Sequence, residues 1–193
     1  MEKSFHKRNL PHLYFSEGQY FITYRLFNSI PKEKLLSIRL TPNEWDFEKF
    51  SILLSKYDAL MESGEYGIDY LMKEELAEIC KFTLHFADGT EYKLICFCIM
   101  PNHIHVIFEL LPGNKSISKI MQSIKGISAI KCNSILSRQG KFWQDESFDR
   151  LIRDEKELFF IIRYILLNPV NAGLVKNWHD WKYTFCHPDY IVL

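Results

Sequence analysis

Met100-Pro101-Asn102-His103-Ile104-His105-Val106-Ile107-Phe108 is the stretch on which the fold turns. The apolar run from Leu94 to Ile99 before Pro101, and Val106, Ile107 and Phe108 after the second histidine, read as two strands meeting at a Pro-Asn turn. Side chains alternate along a strand, so His103 and His105 share a face, about 6.5–7 Å apart at the backbone, while Ile104 points to the other face. Two imidazoles so placed can share one metal ion. The same pair also suits a polar patch on a half-exposed sheet face, and spacing alone does not separate the two.

Around this hairpin the chain alternates further strands and helices. Gln19 to Phe27, aromatic and β-branched behind Gly18, reads as the first strand. A helix start at Thr41-Pro42-Asn43-Glu44 leads into apolar residues Phe47, Phe50, Leu53, Leu54 and Tyr57 at helical spacing, ending near Gly64. After a Gly-Glu-Tyr-Gly linker, a second periodic segment covers about residues 70–86, and Asp88-Gly89 turns into the strand Tyr92–Ile99. Ser116–Ser137 is helical, with Ile117, Ile120, Met121, Ile124, Ile127 and Ile130 or Ile135 on its expected core side. Phe142-Trp143-Gln144 and Phe148–Ile152 form a fourth extended segment. Asp154 with Glu157 three positions later then opens a last helix, with Leu158, Ile161, Ile162 and Ile165 as its stripe and Pro169 as its expected end. Trp178–Tyr183 is an aromatic tail suited to packing or to base stacking.

With 193 residues, 47% of them hydrophobic, the chain can bury a sizeable core, and it reads as one domain over 1–193 with a helical insertion at about 41–88. It has no apolar run of about 18 residues, so no spanning helix is expected. The polar start Met1 to Arg8 lacks the apolar core of a signal peptide, and the expected location is cytoplasmic. Five cysteines, an odd number without C-x-x-C spacing, suit reduced buried thiols. The zero net charge hides an asymmetry: residues 44–91 hold 12 acidic and 4 basic side chains, which leaves 20 basic and 12 acidic elsewhere. The basic remainder is what a phosphate-binding surface requires, whereas the acidic block reads as a solvated face.

The last helix carries a second motif, Tyr164-Ile165-Leu166-Leu167-Asn168-Pro169-Val170-Asn171-Ala172-Gly173. Tyr164 and Asn168 are four apart and therefore neighbours on one helix face, beside the apolar stripe. MPNHIHVIF (100–108), KFWQDESFDRLIRDEKEL (141–158) and YILLNPVNAGLV (164–175), in that order, resemble the single-tyrosine HUH transposases, and most closely the repeat-associated tyrosine transposases. The resemblance runs from about residue 18 to 184. It departs at the acidic segment 41–88, where the family carries a shorter helix.

The resemblance implies an α+β fold, a ferredoxin-like four-stranded antiparallel sheet backed by helices, here with the acidic helical insertion. It makes Tyr164 the nucleophile, His103 and His105 metal ligands, Asn168 a third ligand, and Mg²⁺ or Mn²⁺ the cofactor. The implied activity is nicking and joining of single-stranded or hairpin DNA through a 5′-phosphotyrosine, with no membrane partner. Lys125, Arg150 and Arg153 lie on segments flanking the site and are candidates for phosphate contacts. If His103 stands exposed, its truncation to alanine removes no packed group and costs little stability. Two other readings compete: a domesticated hairpin-binding module that no longer cuts, and a structural zinc site of Cys96, Cys98, His103 and His105. The motifs leave the oligomeric state, monomer or homodimer, open.

Overall fold

In the computed structural model, residues 3–7, 11–15, 17–31, 33–34, 47–62, 68–113 and 115–191 are described. The helix start expected at 41–44 and the Gly-Glu-Tyr-Gly linker at 64–67 lie outside them. A small hairpin, β1 (Lys3–Lys7) with β2 (Pro11–Phe15), precedes the main sheet. The sheet holds β3 (Gly18–Arg25), β4 (Tyr92–Ile99), β5 (His103–Leu110), β6 (Phe148–Leu151) and β7 (Thr184–Cys186), in the spatial order β6-β3-β5-β4-β7, all antiparallel. Its first four strands have the expected ferredoxin-like order. The fifth is a short edge strand just after the aromatic tail: Trp181 donates from Nε1 to Ile99 O at 2.9 Å, and Thr184–Cys186 then pairs with β4.

Helices cover both faces. On one side, α2 (Glu74–His85) and α3 (Ile117–Ile135) pack Leu76, Cys80, Ile120 and Ile124 against Tyr20, Ile22, Val106 and Phe108. On the other, α1 (Phe47–Glu62) and α4 (Glu155–Asn171) pack Phe50, Leu54, Ile161 and Ile165 against Phe21, Cys98 and Ile107. A bulge in β4 between Leu94 and Cys96 turns both Ile95 and Cys96 to this second side. No helix among the described residues is long and apolar enough to cross a membrane.

Two expected helix details change. On α3 the buried stripe is Ile117, Ile120, Met121, Ile124, Ser128 and Cys132, whereas Ile127, Ile130 and Ile135 are exposed. The polar Ser128 joins the core because its hydroxyl accepts from Trp143 Nε1 at 2.9 Å and donates to Ile124 O at 2.7 Å. Pro169 does not end α4, which continues to Asn171. A proline so near the end forfeits one helical bond, and the orphaned carbonyls of the final turn are taken up by the N–H groups of Ala172 (to Asn168), Gly173 (to Val170) and Leu174 (to Pro169). The start of α4 is as expected: Asp154 Oδ1 accepts from the Glu157 N–H at 2.8 Å, and Glu157 Oε2 accepts from the Arg153 N–H.

Candidate metal and nucleophile site

The Pro101-Asn102 turn closes β4 onto β5, with Met100 N–H on His103 O, and sends both imidazoles into the layer between the sheet and α1 and α4. His103 is 1% and His105 0% exposed, so the shared face is buried rather than half-exposed. Each ring is held from behind. Thr23, opposite His105 on β3, sets its Oγ1 2.7 Å from His105 Nδ1. Asn102 donates from Nδ2 to Met61 O at 2.8 Å, which turns its Oδ1 toward His103 Nδ1, also at 2.8 Å. His103 Nδ1 therefore carries a proton and donates it to Asn102, leaving the Nε2 lone pair facing inward.

His103 Nε2 and His105 Nε2 stand 3.1 Å apart. Two lone pairs cannot face each other at that distance without a proton or a cation between them. Burial pushes both imidazoles down to about 3, helped at His103 by its neighbour His105, so both are neutral at pH 7, the form that ligates metals.

A third member comes from the acidic segment. Asp58 on α1 is 4% exposed, with Oδ2 3.6 Å from His105 Nε2 and accepting from Asn168 Nδ2 at 3.0 Å. Burial raises its carboxyl to about 7, against the opposing pull of His103 and the Asn168 hydrogen bond. The ligand atoms of Asp58, His103 and His105 lie within 4.8 Å of one another, the one such group of His, Cys, Asp and Glu among the described residues. The sequence reading missed Asp58, although a signal was there: the buried residues of α1 are Phe50, Leu54, Asp58 and Met61, which puts an acid on an otherwise apolar stripe. Cys96 and Cys98, offered as zinc ligands, do not join the group. Burial raises the Cys96 thiol well above its usual range, and Cys98 contacts Met100 Sδ and Thr184 Oγ1.

Tyr164 and Asn168 share the face of α4 turned to this cluster. The Tyr164 ring meets His105 edge-on, centroids 5.5 Å apart, with Phe21 at 6.4 Å as a second wall. Its hydroxyl is buried without a hydrogen-bond partner, as are Asp58 Oδ1 and Asn168 Oδ1. Three orphaned polar atoms at one place go against the usual satisfaction of buried groups and mark a site rather than a core.

The basic candidates are dispersed. Arg150 is on the site's side of the sheet, its guanidinium paired with buried Glu157 and lying 4.1 Å over the Phe50 ring. Arg153 is exposed just before α4. Lys125 is across the sheet, where its ammonium donates to Gln144 O at 2.6 Å, Asp145 O at 3.0 Å and Ser147 Oγ at 3.2 Å, and burial lowers it to about 8.

A model of the IS200-like transposases matches residues 64–166, which include His103, His105 and Tyr164 and exclude Asp58 and Asn168. A protein of Haemophilus influenzae (strain ATCC 51907 / DSM 11121 / KW20 / Rd) named as a REP-associated tyrosine transposase is 32% identical over 108 residues, 51% of this chain and 61% of that one. The REP-associated tyrosine transposase of Escherichia coli (strain K12) is 28% identical over 98 residues, 51% of this chain and 56% of that one. The chain thus matches about three-fifths of the length of these relatives. A solved REP-associated tyrosine transposase bound to a REP hairpin superposes with a TM-score of 0.57 at 19% identity, covering 92% of this chain and 82% of that one. With the fold shared and the family match spanning more than half its length, this chain belongs to the IS200-like transposases and is similar, among them, to the REP-associated tyrosine transposases.

Proposed function

We propose that the protein nicks and rejoins single-stranded DNA at a hairpin, with Tyr164 as nucleophile and a divalent cation, Mg²⁺ or Mn²⁺, on the His103 and His105 pair. The observation that carries this reading is the buried, unpartnered Tyr164 hydroxyl beside two neutral imidazoles whose Nε2 atoms stand 3.1 Å apart. The donor set suits a cation: neutral nitrogen ligands, with orphaned oxygens of Asp58 and Asn168 next to them. When bound, the ion polarises the scissile phosphodiester and stabilises the charge developing on it. A tyrosine hydroxyl, with an ordinary pKa near 10, attacks poorly unless the phosphate is so prepared. Tyr164 Oη bonds to phosphorus and gives up its proton, while the bond from phosphorus to the 3′ oxygen breaks and that oxygen takes a proton. The products are a 5′-phosphotyrosine and a free 3′-OH, and the reverse step rejoins the strand without ATP.

His105 and Phe21 hold the Tyr164 ring in place for this attack. Tyr164 is the half-buried member of an otherwise buried cluster, so the strand reaches the phosphate site past its ring. Hairpin DNA as the partner is supported by the structurally similar transposase bound to a REP hairpin. The test is incubation with 5′- and 3′-labelled single-stranded hairpins and Mn²⁺, followed by denaturing gels. A covalent adduct retaining the strand on the 3′ side of the cut is expected. Hairpin binding without any adduct would replace this reading with the non-cutting binding module.

Of the three basic candidates, we take Arg153, exposed just before α4, as the phosphate contact. Arg153→Gln is expected to flatten the salt dependence of hairpin binding by about 0.7–0.9 in log K per log salt, one phosphate contact's share. Arg150→Gln is expected to act on the fold instead, because it leaves the buried Glu157 carboxylate without its counter-charge at a cost of about 3–5 kcal/mol. Salt titrations and thermal melts of both variants check this, and equal salt slopes for Arg153→Gln and wild type would remove Arg153 from the interface.

A further inference from the structure

We infer that Asp58, brought in on α1, is a protein ligand of the metal site beside the His103 and His105 pair. The inference rests on the proposed metal-dependent reading of the histidine pair and deepens it. Asp58 and Asn168 both bring an oxygen near the imidazoles, and each leaves an oxygen buried and unpartnered. Asn168 donates from Nδ2 to Asp58 Oδ2 at 3.0 Å, which holds the carboxyl in place. A hydrogen bond of this kind orients a ligating carboxylate. The carboxylate lies 3.6 Å from His105 Nε2 and has its second oxygen buried and unpartnered. No lysine or arginine among the described residues pairs with it. A buried carboxylate needs a counter-charge, and a cation held by Asp58, His103 and His105 supplies one.

Two consequences follow. Two imidazoles and a carboxylate are a better set for Mn²⁺ than for Mg²⁺, which favours oxygen ligands and near-ideal octahedral geometry, so Mn²⁺ binds the tighter. The ion also bridges α1 to β5, on top of the single hydrogen bond by which Asn102 holds the end of α1 at Met61 O. The acidic insertion is then part of the site.

The experiment titrates Mn²⁺ into the full chain, reading free Mn²⁺ by its EPR signal, for wild type, the near-isosteric Asp58→Asn and Asn168→Ala. Asp58→Asn is expected to weaken Mn²⁺ binding about 100-fold or more, and Asn168→Ala by at least about tenfold through its lost hold on the carboxylate. Mn²⁺ should raise the melting temperature of wild type and leave that of Asp58→Asn unmoved. Amide exchange supplies a readout that needs no variant: Mn²⁺ should slow exchange across residues 47–61 of wild type, and unchanged exchange there would overturn the bridge. Asn168→Ala losing the ion while Asp58→Asn keeps it would make the amide the ligand and overturn the inference. So would unchanged Mn²⁺ affinity in Asp58→Asn with faster hairpin cleavage, which would make Asp58 a plug, or a wild type that binds no Mn²⁺. Tight, Asp58-dependent Mn²⁺ binding in a protein that cuts no hairpin would sink the transposase chemistry and leave the ligand assignment standing.

Discussion

Tyr164→Phe is expected to bind the hairpin as wild type does and to form no covalent adduct with it, the largest effect any single oxygen in this protein should have. Nothing else in the site replaces the lost nucleophile, while the ring keeps its contacts with His105 and Phe21. The stability change has an unusual expected sign. The Tyr164 hydroxyl is buried with no hydrogen bond, so its removal relieves a desolvated polar group and should leave the fold as stable as wild type or up to about 1 kcal/mol more so. A residue whose removal stabilises the fold while abolishing the chemistry is held there for function. Tyr24→Phe is the control: it deletes another buried, unpartnered hydroxyl, on the opposite face of the sheet, and should leave cleavage untouched. Denaturing gels with labelled hairpins and a urea titration give both readings, and an adduct persisting in Tyr164→Phe would exclude it as the nucleophile.

His103→Ala should lower cleavage by about 1,000-fold, the several kcal/mol that a correctly held cation contributes to the transition state. Added Mn²⁺ should not restore it. The expectation that such a truncation spares the fold applies to an exposed ligand, and His103 is 1% exposed. Its loss opens a cavity, strips Asn102 Oδ1 of its donor and leaves His105 Nε2 without the neighbour 3.1 Å away. The expected cost is about 2–4 kcal/mol, or about 5–15 °C in melting temperature. Cleavage is therefore to be measured well below the variant's own midpoint, where the folded fraction is complete. A folded His103→Ala protein cutting at the wild-type rate would remove the histidine pair from the mechanism.

The readable parts of this protein are those governed by near neighbours in the chain. Alternation along β5 puts His103 and His105 on one face whatever packs there, and four-residue spacing on α4 puts Tyr164 beside Asn168. The Asp154 and Glu157 cap and the Pro101-Asn102 turn are equally local. The order of the four strands β6-β3-β5-β4 follows once the family resemblance supplies the topology. Other features depend on contacts made only on folding. Thr184–Cys186 is too short to announce itself as a strand and becomes one by pairing with β4. Ser128 is drawn into the core by Trp143 across from it. Arg150, basic and well placed in sequence, is turned inward by Glu157 and Phe50. Asp58 is the plainest case: its hydrogen-bond partner Asn168 is 110 positions away, and the charge balance of its segment reads as a solvated face. By itself the sequence determined the paired imidazoles, the tyrosine one helical turn from an amide, and the strands and helices that carry them, because strand and helix periodicities act within a few residues. Tertiary structure alone decided that the imidazoles are buried and neutral, that a carboxylate from the insertion stands against them, and which cations are already paired, because burial and charge pairing belong to groups that meet only when α1, β5 and α4 pack together.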